Sequence, residues 1–275
     1  MDRHDTFAEL HGAGCFVMPN PWDAGSARVM AAMGAKALAT SSAAHAFTLG
    51  RPDMGGVTRD EALAHAEELV AATPLPVSGD FENGFADAPD DVAETLRLAG
   101  EVGLSGCSIE DTQMAPGNPA YAFDLAVERI QAAVAAVRAM GRPFVLTARA
   151  DGVMNGAYDI AEGIRRLQAF EAAGADCLYL PVPPDVQGLR AVLAAVTAPV
   201  NALAAGALAR TDIATLAGLG VRRISLGSMP ARVTHAALMN AMAGIYQRGT
   251  FDGLAGAAPG AEVDALLGKG GGAAS

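Results

Sequence analysis

Between Cys15 and Gly227, short apolar runs and Ala-rich helical stretches alternate eight times, and that rhythm restricts the fold more than any other feature of the chain. The runs occupy 15–18, 37–42, 77–80, 106–111, 144–151, 177–181, 200–203 and 223–227. They are continuous rather than alternating in polarity, as strands buried on both faces of a parallel sheet are. Helical patterns stand between them, for example at 59–72, 90–101, 123–140 and 160–173. Gly34, Gly103, Gly174 and Gly220 each precede a run, where a left-handed cap ends a helix and turns the chain back. Eight strand–helix units in about 230 residues match a (β/α)8 TIM barrel. The doubly wound alternative lacks its signature, because the first run leads into Pro19-Asn20-Pro21 and not into Gly-x-Gly-x-x-Gly. The expectation is one barrel domain over 1–255, a further helix at 233–247, and a C-terminal extension over 256–275 that is partly flexible and frayed from 268 onward.

Composition narrows the function. The 275 residues are 51% hydrophobic and 18% charged, enough for a large core and against global disorder. No stretch nears the roughly 20 apolar residues of a membrane span. The charged start MDRHDTFAEL is unlike a signal peptide, so a cytoplasmic protein with no membrane partner is expected. A net charge of −11 repels phosphate backbones and argues against nucleic acid. An anionic substrate then requires a local positive centre, either a metal or an arginine. The only lysines are Lys36, between a helix and a strand, and Lys269, in the Gly-rich tail. Neither is placed for a Schiff base, which argues against lysine aldolases and pyridoxal enzymes. Cys15, Cys107 and Cys177 are odd in number and widely spaced, which suits core residues and neither a disulfide framework nor a zinc site.

In a barrel the chemistry sits where strands end. The third run ends in Asp80-Phe81-Glu82, two acids that can share one side of an extended segment, the fourth ends in Glu110-Asp111, and Asp53 follows the second. A single loop acid is commonly a solvated helix cap. Asp53, Asp80, Glu82 and Glu110 together, at neighbouring strand ends, repel one another unless a cation neutralises them. Carboxylates without Cys or His suit Mg²⁺ or Mn²⁺. Arg149 and Asp151 alternate on the fifth strand. Arg149 suits a bidentate grip on a substrate carboxylate, and an internal Arg149–Asp ion pair is compatible with that role. Ser41 and Ser42 end the second run, where small residues leave N–H groups and hydroxyls for an oxyanion. His45 follows and, with Asp53, is a candidate catalytic acid or base, and Trp22 and Asn201 are candidate pocket residues.

These segments, in this order, resemble the isocitrate lyase and phosphoenolpyruvate mutase superfamily from Phe16 to Gly227. The stretches that carry the resemblance are Pro19–Ala27, Thr40-Ser41-Ser42, Leu49–Asp53, Asp80–Gly84, Ile109-Glu110-Asp111 and Ala148–Asp151. It implies a (β/α)8 barrel whose eighth helix swaps onto a neighbour in a homodimer or homotetramer. It also implies Mg²⁺ or Mn²⁺ and a small 2-oxo or 2-hydroxy acid, with a C–C or P–C bond made or broken through an enolate. By position, Asp80 resembles the direct metal ligand, and Asp53, Glu82 and Glu110 the carboxylates around its waters. Ser41 and Ser42 resemble the turn that receives the substrate, and Arg149 its basic partner. The departures shape the reaction. Where citrate-type lyases carry a Lys-Lys-Cys-Gly-His loop, this chain has Thr112–Pro119, with no Cys, Lys or His. That argues against isocitrate and methylisocitrate cleavage. The mutase Lys-Asn-Ser gating loop is missing as well, and Glu82 stands where the superfamily has a second Asp. The expectation is metal-dependent C–C cleavage of a small 2-oxo acid, as by a lyase or decarboxylase of oxaloacetate-like acids. A C–C or P–C hydrolase on the same scaffold and a non-catalytic 2-oxo acid binder are the alternatives.

Overall fold

The computed structural model describes residues 2–272. All eight expected strands form, within a few residues of the expected bounds: β1 (Phe16–Met18), β2 (Leu38–Ala39), β3 (Val77–Asp80), β4 (Gly106–Glu110), β5 (Val145–Arg149), β6 (Cys177–Tyr179), β7 (Val200–Leu203) and β8 (Arg223–Ser225). Every pairing is parallel and the order is β1-β8-β7-β6-β5-β4-β3-β2, so the sheet nearly closes into a (β/α)8 barrel. β1 and β2 share no ladder. Their seam is closed instead by the Ala39 N–H, which donates to the Pro19 carbonyl at 3.1 Å, and by Asn20. The Asn20 amide donates to the Thr40 carbonyl at 2.8 Å and accepts from the N–H groups of Leu226 and Gly227 at 2.9 and 2.8 Å.

Helices cover the outside where the apolar pattern places them. Arg59–Ala72 has the expected bounds and opens on a capping box between Thr58 and Glu61. Pro89–Glu101 and Phe123–Ala139 pack on each other and bury Leu96, Ala99, Ile130 and Ala133. Gly34, Gly103, Gly174 and Gly220 all take positive φ, as their capping role requires. The helix Arg3–Gly12 plugs the bottom of the barrel with Phe7, which is fully buried. Gly106 makes room for it: a Cβ there would sit 2.8 Å from the Phe7 ring and 2.5 Å from the Val145 carbonyl. Burying a Phe of this kind stabilises the fold by roughly 1.5–3 kcal/mol.

Two features differ from their surroundings. Met229–Arg248, which begins earlier than expected because Pro230 is tolerated in a first turn, leaves Met239 69% and Tyr246 82% exposed. After residue 255 the chain forms a helix, Gly260–Gly270, which packs on Ala24–Ala32. That helix takes in the first residues of the stretch expected to fray, and 273–275 lie outside the described residues. Lys36 and Lys269 are exposed, while Cys107 and Cys177 are buried and Cys15 half-buried, all three free. Among the described residues, no helix is long and apolar enough to cross a membrane.

Candidate active site

The ends of β3, β4 and β5 bring Asp80, Glu110 and Arg149 together at the barrel mouth. The Arg149 guanidinium lies 2.7 Å from Asp80 Oδ1, 3.0 Å from Glu110 Oε1 and 2.7 Å from Asp151 Oδ1, and its Nε–H donates to Asp151 Oδ2 at 3.1 Å. The ion pair weighed for Arg149 is therefore present, and Asp151 takes the bidentate fork. Asp151 is itself held by Asp111, whose Oδ1 accepts the Asp151 N–H at 2.8 Å. Asp111 Oδ2 accepts from Tyr158 at 2.7 Å and from Arg166 at 3.0 Å. Burial pushes the Asp111 carboxyl up, against the pull of Tyr158 and Arg166.

Asp80 has a second set of partners. Its Oδ2 accepts both the N–H and the hydroxyl of Ser42 at 3.0 Å, and its own N–H donates to Thr40 Oγ1 at 2.7 Å. The donors expected to receive an oxyanion at Ser42 are thus engaged by Asp80. The Ser41 hydroxyl accepts from the Ala44 N–H and caps the helix Ser42–Thr48.

Glu82 does not share an extended segment with Asp80. The chain turns after β3, and Glu82 has a left-handed φ of 46°. Its carbonyl accepts the Glu110 N–H at 2.8 Å, which sets its side chain back toward the mouth. Glu82 Oε1 accepts the Gly55 N–H at 3.2 Å, and Oε2, like Asp53 Oδ1, is buried with no partner. Burial raises the Glu82 carboxyl to about 7, and Asp80 and Asp53 add to the rise. Burial also raises Asp53, and raises Glu110 against the pull of Arg149.

Asp53, Asp80, Glu82, Glu110 and Asp151 thus face a single guanidinium. Unpartnered carboxylate oxygens in such a cluster fit a hard divalent cation. Among the described residues no three His, Cys, Asp or Glu groups are placed to hold a metal ion together. A fit here is therefore to an ion that keeps several waters and takes only one or two carboxylates directly.

His45 lies in a short helix, not in a loop, and is not alone. Its ring stacks on His65, centroids 3.9 Å apart and 9° from parallel, and both of its nitrogens are buried without a partner. Burial, then His65, lower its pKa to about 4, so its ring is neutral at pH 7. His65 Nε2 lies 3.1 Å from the Trp22 carbonyl. That backbone contact is Trp22's link to the site, for Trp22 lines none of the cavities at the mouth. Asn201 does: it lines a cavity of about 50 Å³ with Asp80, Arg149, Tyr179 and Arg223. A larger cavity, about 680 Å³, opens beside Glu82 and is lined by Gln113, Met114 and Ala115 of the loop that lacks Cys, Lys and His. Sequence reasoning gave Asp111 no role and missed His65, Arg166 and Arg223. Arg223 alone left a signal, as a charge inside an apolar run, but at the start of its strand instead of the end.

The match to known proteins follows this geometry. A family model described as Phosphoenolpyruvate phosphomutase matches residues 7–246. Oxaloacetate decarboxylase of Paraburkholderia xenovorans (strain LB400) is 33% identical over 236 residues, covering 83% of this chain and 77% of that protein. A crystal structure from Burkholderia cenocepacia J2315 superposes with a TM-score of 0.92 at 45% identity, covering 96% of this chain and 95% of that one. The crystal structure of 2,3-dimethylmalate lyase, a PEP mutase/isocitrate lyase superfamily member, does so with a TM-score of 0.86 at 26% identity, covering 98% and 95%. From the plug under the barrel to the helix beyond β8, the chain belongs to the phosphoenolpyruvate phosphomutase family, within the PEP mutase/isocitrate lyase superfamily.

Proposed function

We propose that the protein cleaves a C–C bond of a small 2-oxo acid through an enolate, as a Mg²⁺- or Mn²⁺-dependent lyase or decarboxylase of oxaloacetate-like substrates. The observation that carries this reading is the excess of buried carboxylates around one arginine, with Asp53 Oδ1 and Glu82 Oε2 unpartnered. Asp80 would hold the ion directly, and Asp53, Glu82 and Glu110 would hold its waters. When bound, such an ion polarises the 2-oxo group and stabilises negative charge on its oxygen.

The chain's own residues do the rest. Arg149 is fixed by Asp151 and Glu110, so the one Nη1 N–H it does not give to Asp80 meets the substrate carboxylate without reorganising. The Ser41-Ser42 turn stands beside that carboxylate. His45, neutral and with both nitrogens free, can accept a proton, and the raised carboxyl of Asp53 can accept or deliver one. Decarboxylation needs no acid on the departing group, which agrees with a 112–119 loop without thiol, amine or imidazole. The exposed apolar side of Met229–Arg248 supports a homodimer or homotetramer built by exchange of that helix.

The test is pyruvate and CO₂ release from oxaloacetate, within a panel of 2-oxo and 2-hydroxy acids, with Mg²⁺ or Mn²⁺ and correction for free-metal catalysis. Acetate or phosphate release would favour the hydrolase alternative. Metal-dependent binding without turnover across the panel would favour a non-catalytic binder.

A further inference from the structure

A second arginine stands inside the barrel and has no role in the chemistry above. Arg223 opens β8 and is 3% exposed. The buried ion pairs among the described residues belong to Arg149 and Arg166, and none to Arg223. Its partners are neutral. Nε donates to Asn201 Oδ1 at 2.9 Å, Nη2 to Thr147 Oγ1 at 3.0 Å, and Nη1 faces His11 Nε2 at 3.3 Å. His11 Nδ1 lies 2.8 Å from the Phe7 carbonyl and must carry its proton there, so Nε2 turns a lone pair to Arg223. Burial, then Arg223, hold the His11 pKa down to about 3, so His11 is no competing cation.

A buried guanidinium without an anion is poorly compensated. This one lines the same cavity as Arg149, Asp80, Asn201 and Ser225. It also fixes the Asn201 amide. With Oδ1 turned to Arg223, Nδ2 donates to Ser225 Oγ at 2.9 Å and keeps a second hydrogen in reserve. The cavity is therefore polarised. Its β3 side carries Asp80, and its β7–β8 side carries donors backed, from the plugged end of the barrel, by uncompensated positive charge.

We infer that the β7–β8 wall, with Arg223 behind Asn201, receives a second anionic group of the substrate, so that Arg223 selects 2-oxo diacids over 2-oxo monoacids. This inference rests on the 2-oxo acid reading of the site. Arg223 determines specificity partly by its field and partly by holding Asn201 as a donor.

Calorimetry on the full chain with Mg²⁺ tests it by binding, not turnover. The ligands are 3,3-difluorooxaloacetate, a dianion, and 2-oxobutyrate, which ends in a methyl group instead of the second carboxylate. The wild type should bind the dianion at least about 10-fold more tightly. Arg223→Met should lose about 10–100-fold for the dianion and less than about 3-fold for 2-oxobutyrate. Should Arg223→Met fail to fold, Asn201→Asp sets an anion of the same shape against Arg223 and should show the same selective loss. Equal losses for both ligands, or an unchanged dianion affinity in Asn201→Asp, would overturn the inference. Equal binding of the two ligands by the wild type overturns it while leaving the 2-oxo acid reading intact, and binding of neither overturns both.

Discussion

Arg149 on β5 reaches past β4 to Asp80 on β3, with Nη1 2.7 Å from Oδ1. The group proposed to grip the substrate and the group proposed to hold the cation are thus one ion pair, and neither can be altered alone. Substitutions at the two positions should be strongly non-additive.

Asp80→Ala should abolish Mg²⁺ or Mn²⁺ binding at the mouth while the fold survives, because Arg149 keeps Asp151 at 2.7 Å. Glu110→Ala should weaken binding less, by about 10–100-fold. Calorimetry reads both, and an unchanged metal affinity in Asp80→Ala would remove it from the site.

Arg149→Met leaves Asp151 and Glu110 as buried acids without a cation and should cost about 3–5 kcal/mol in urea denaturation. Arg149→Lys keeps the charge and should fold better, yet lose affinity for 2-oxo acids, since a planar fork becomes a point charge. Equal ligand affinity in Arg149→Lys would leave Arg149 a purely structural residue.

Glu82 gives a pH dependence of definite sign. In the unfolded chain it loses its proton near 4.5, and in the folded chain near 7. The folded state therefore holds the extra proton between these values. The resulting stability is complete below 4.5 and lost as pH rises through 7, on the order of 3 kcal/mol in all. Metal-free protein should be less stable at pH 8 than Glu82→Gln, and added Mg²⁺ should release protons near pH 6. Parallel denaturation curves of the two proteins from pH 5 to 8 would refute the assignment.

The loop between β4 and the helix Phe123–Ala139 offers Gln113, Met114 and Ala115 to the large cavity. General acid help is worth about 10²–10⁴-fold, and cleavage of isocitrate must protonate a poorly stabilised carbanion. Glyoxylate release from isocitrate or methylisocitrate should therefore be negligible beside turnover or binding of a 2-oxo acid. Robust glyoxylate release would point to His45 as the proton donor.

Light scattering at micromolar concentration should give a dimer or tetramer. Val233 and Met239 are 65% and 69% exposed in the single chain. Replacing both with Glu should shift the protein toward monomer without loss of helix content. A wild-type monomer of 27.8 kDa would contradict the assembly.

The barrel was legible because strands buried on both faces write themselves as continuous apolar runs, and β3 and β7 have their expected bounds. The acids and Arg149 were legible because strand ends in a barrel converge whatever the loops do. Glu82 was misplaced in orientation because the chain turns there with a left-handed φ, into a loop that the Arg129 guanidinium clasps by the carbonyls of Asn83, Ala86 and Asp87. A clasp from a helix more than forty residues away leaves no local mark. The His45–His65 stack joins two helices, and no periodicity encodes it. Ser42 shows another limit: a donor beside a site is visible in sequence, but whether a neighbouring acid already occupies it is not.

The Asn20 side chain, finally, makes the β1–β2 seam a mechanical fuse. Its carboxamide bridges Thr40 to the chain beyond β8, and the Thr40 hydroxyl in turn accepts the Asp80 N–H. Slack in this seam is transmitted to the carboxylate at the centre of the mouth in two bonded steps. Loosening of the barrel there would reach the acid cluster through those same bonds.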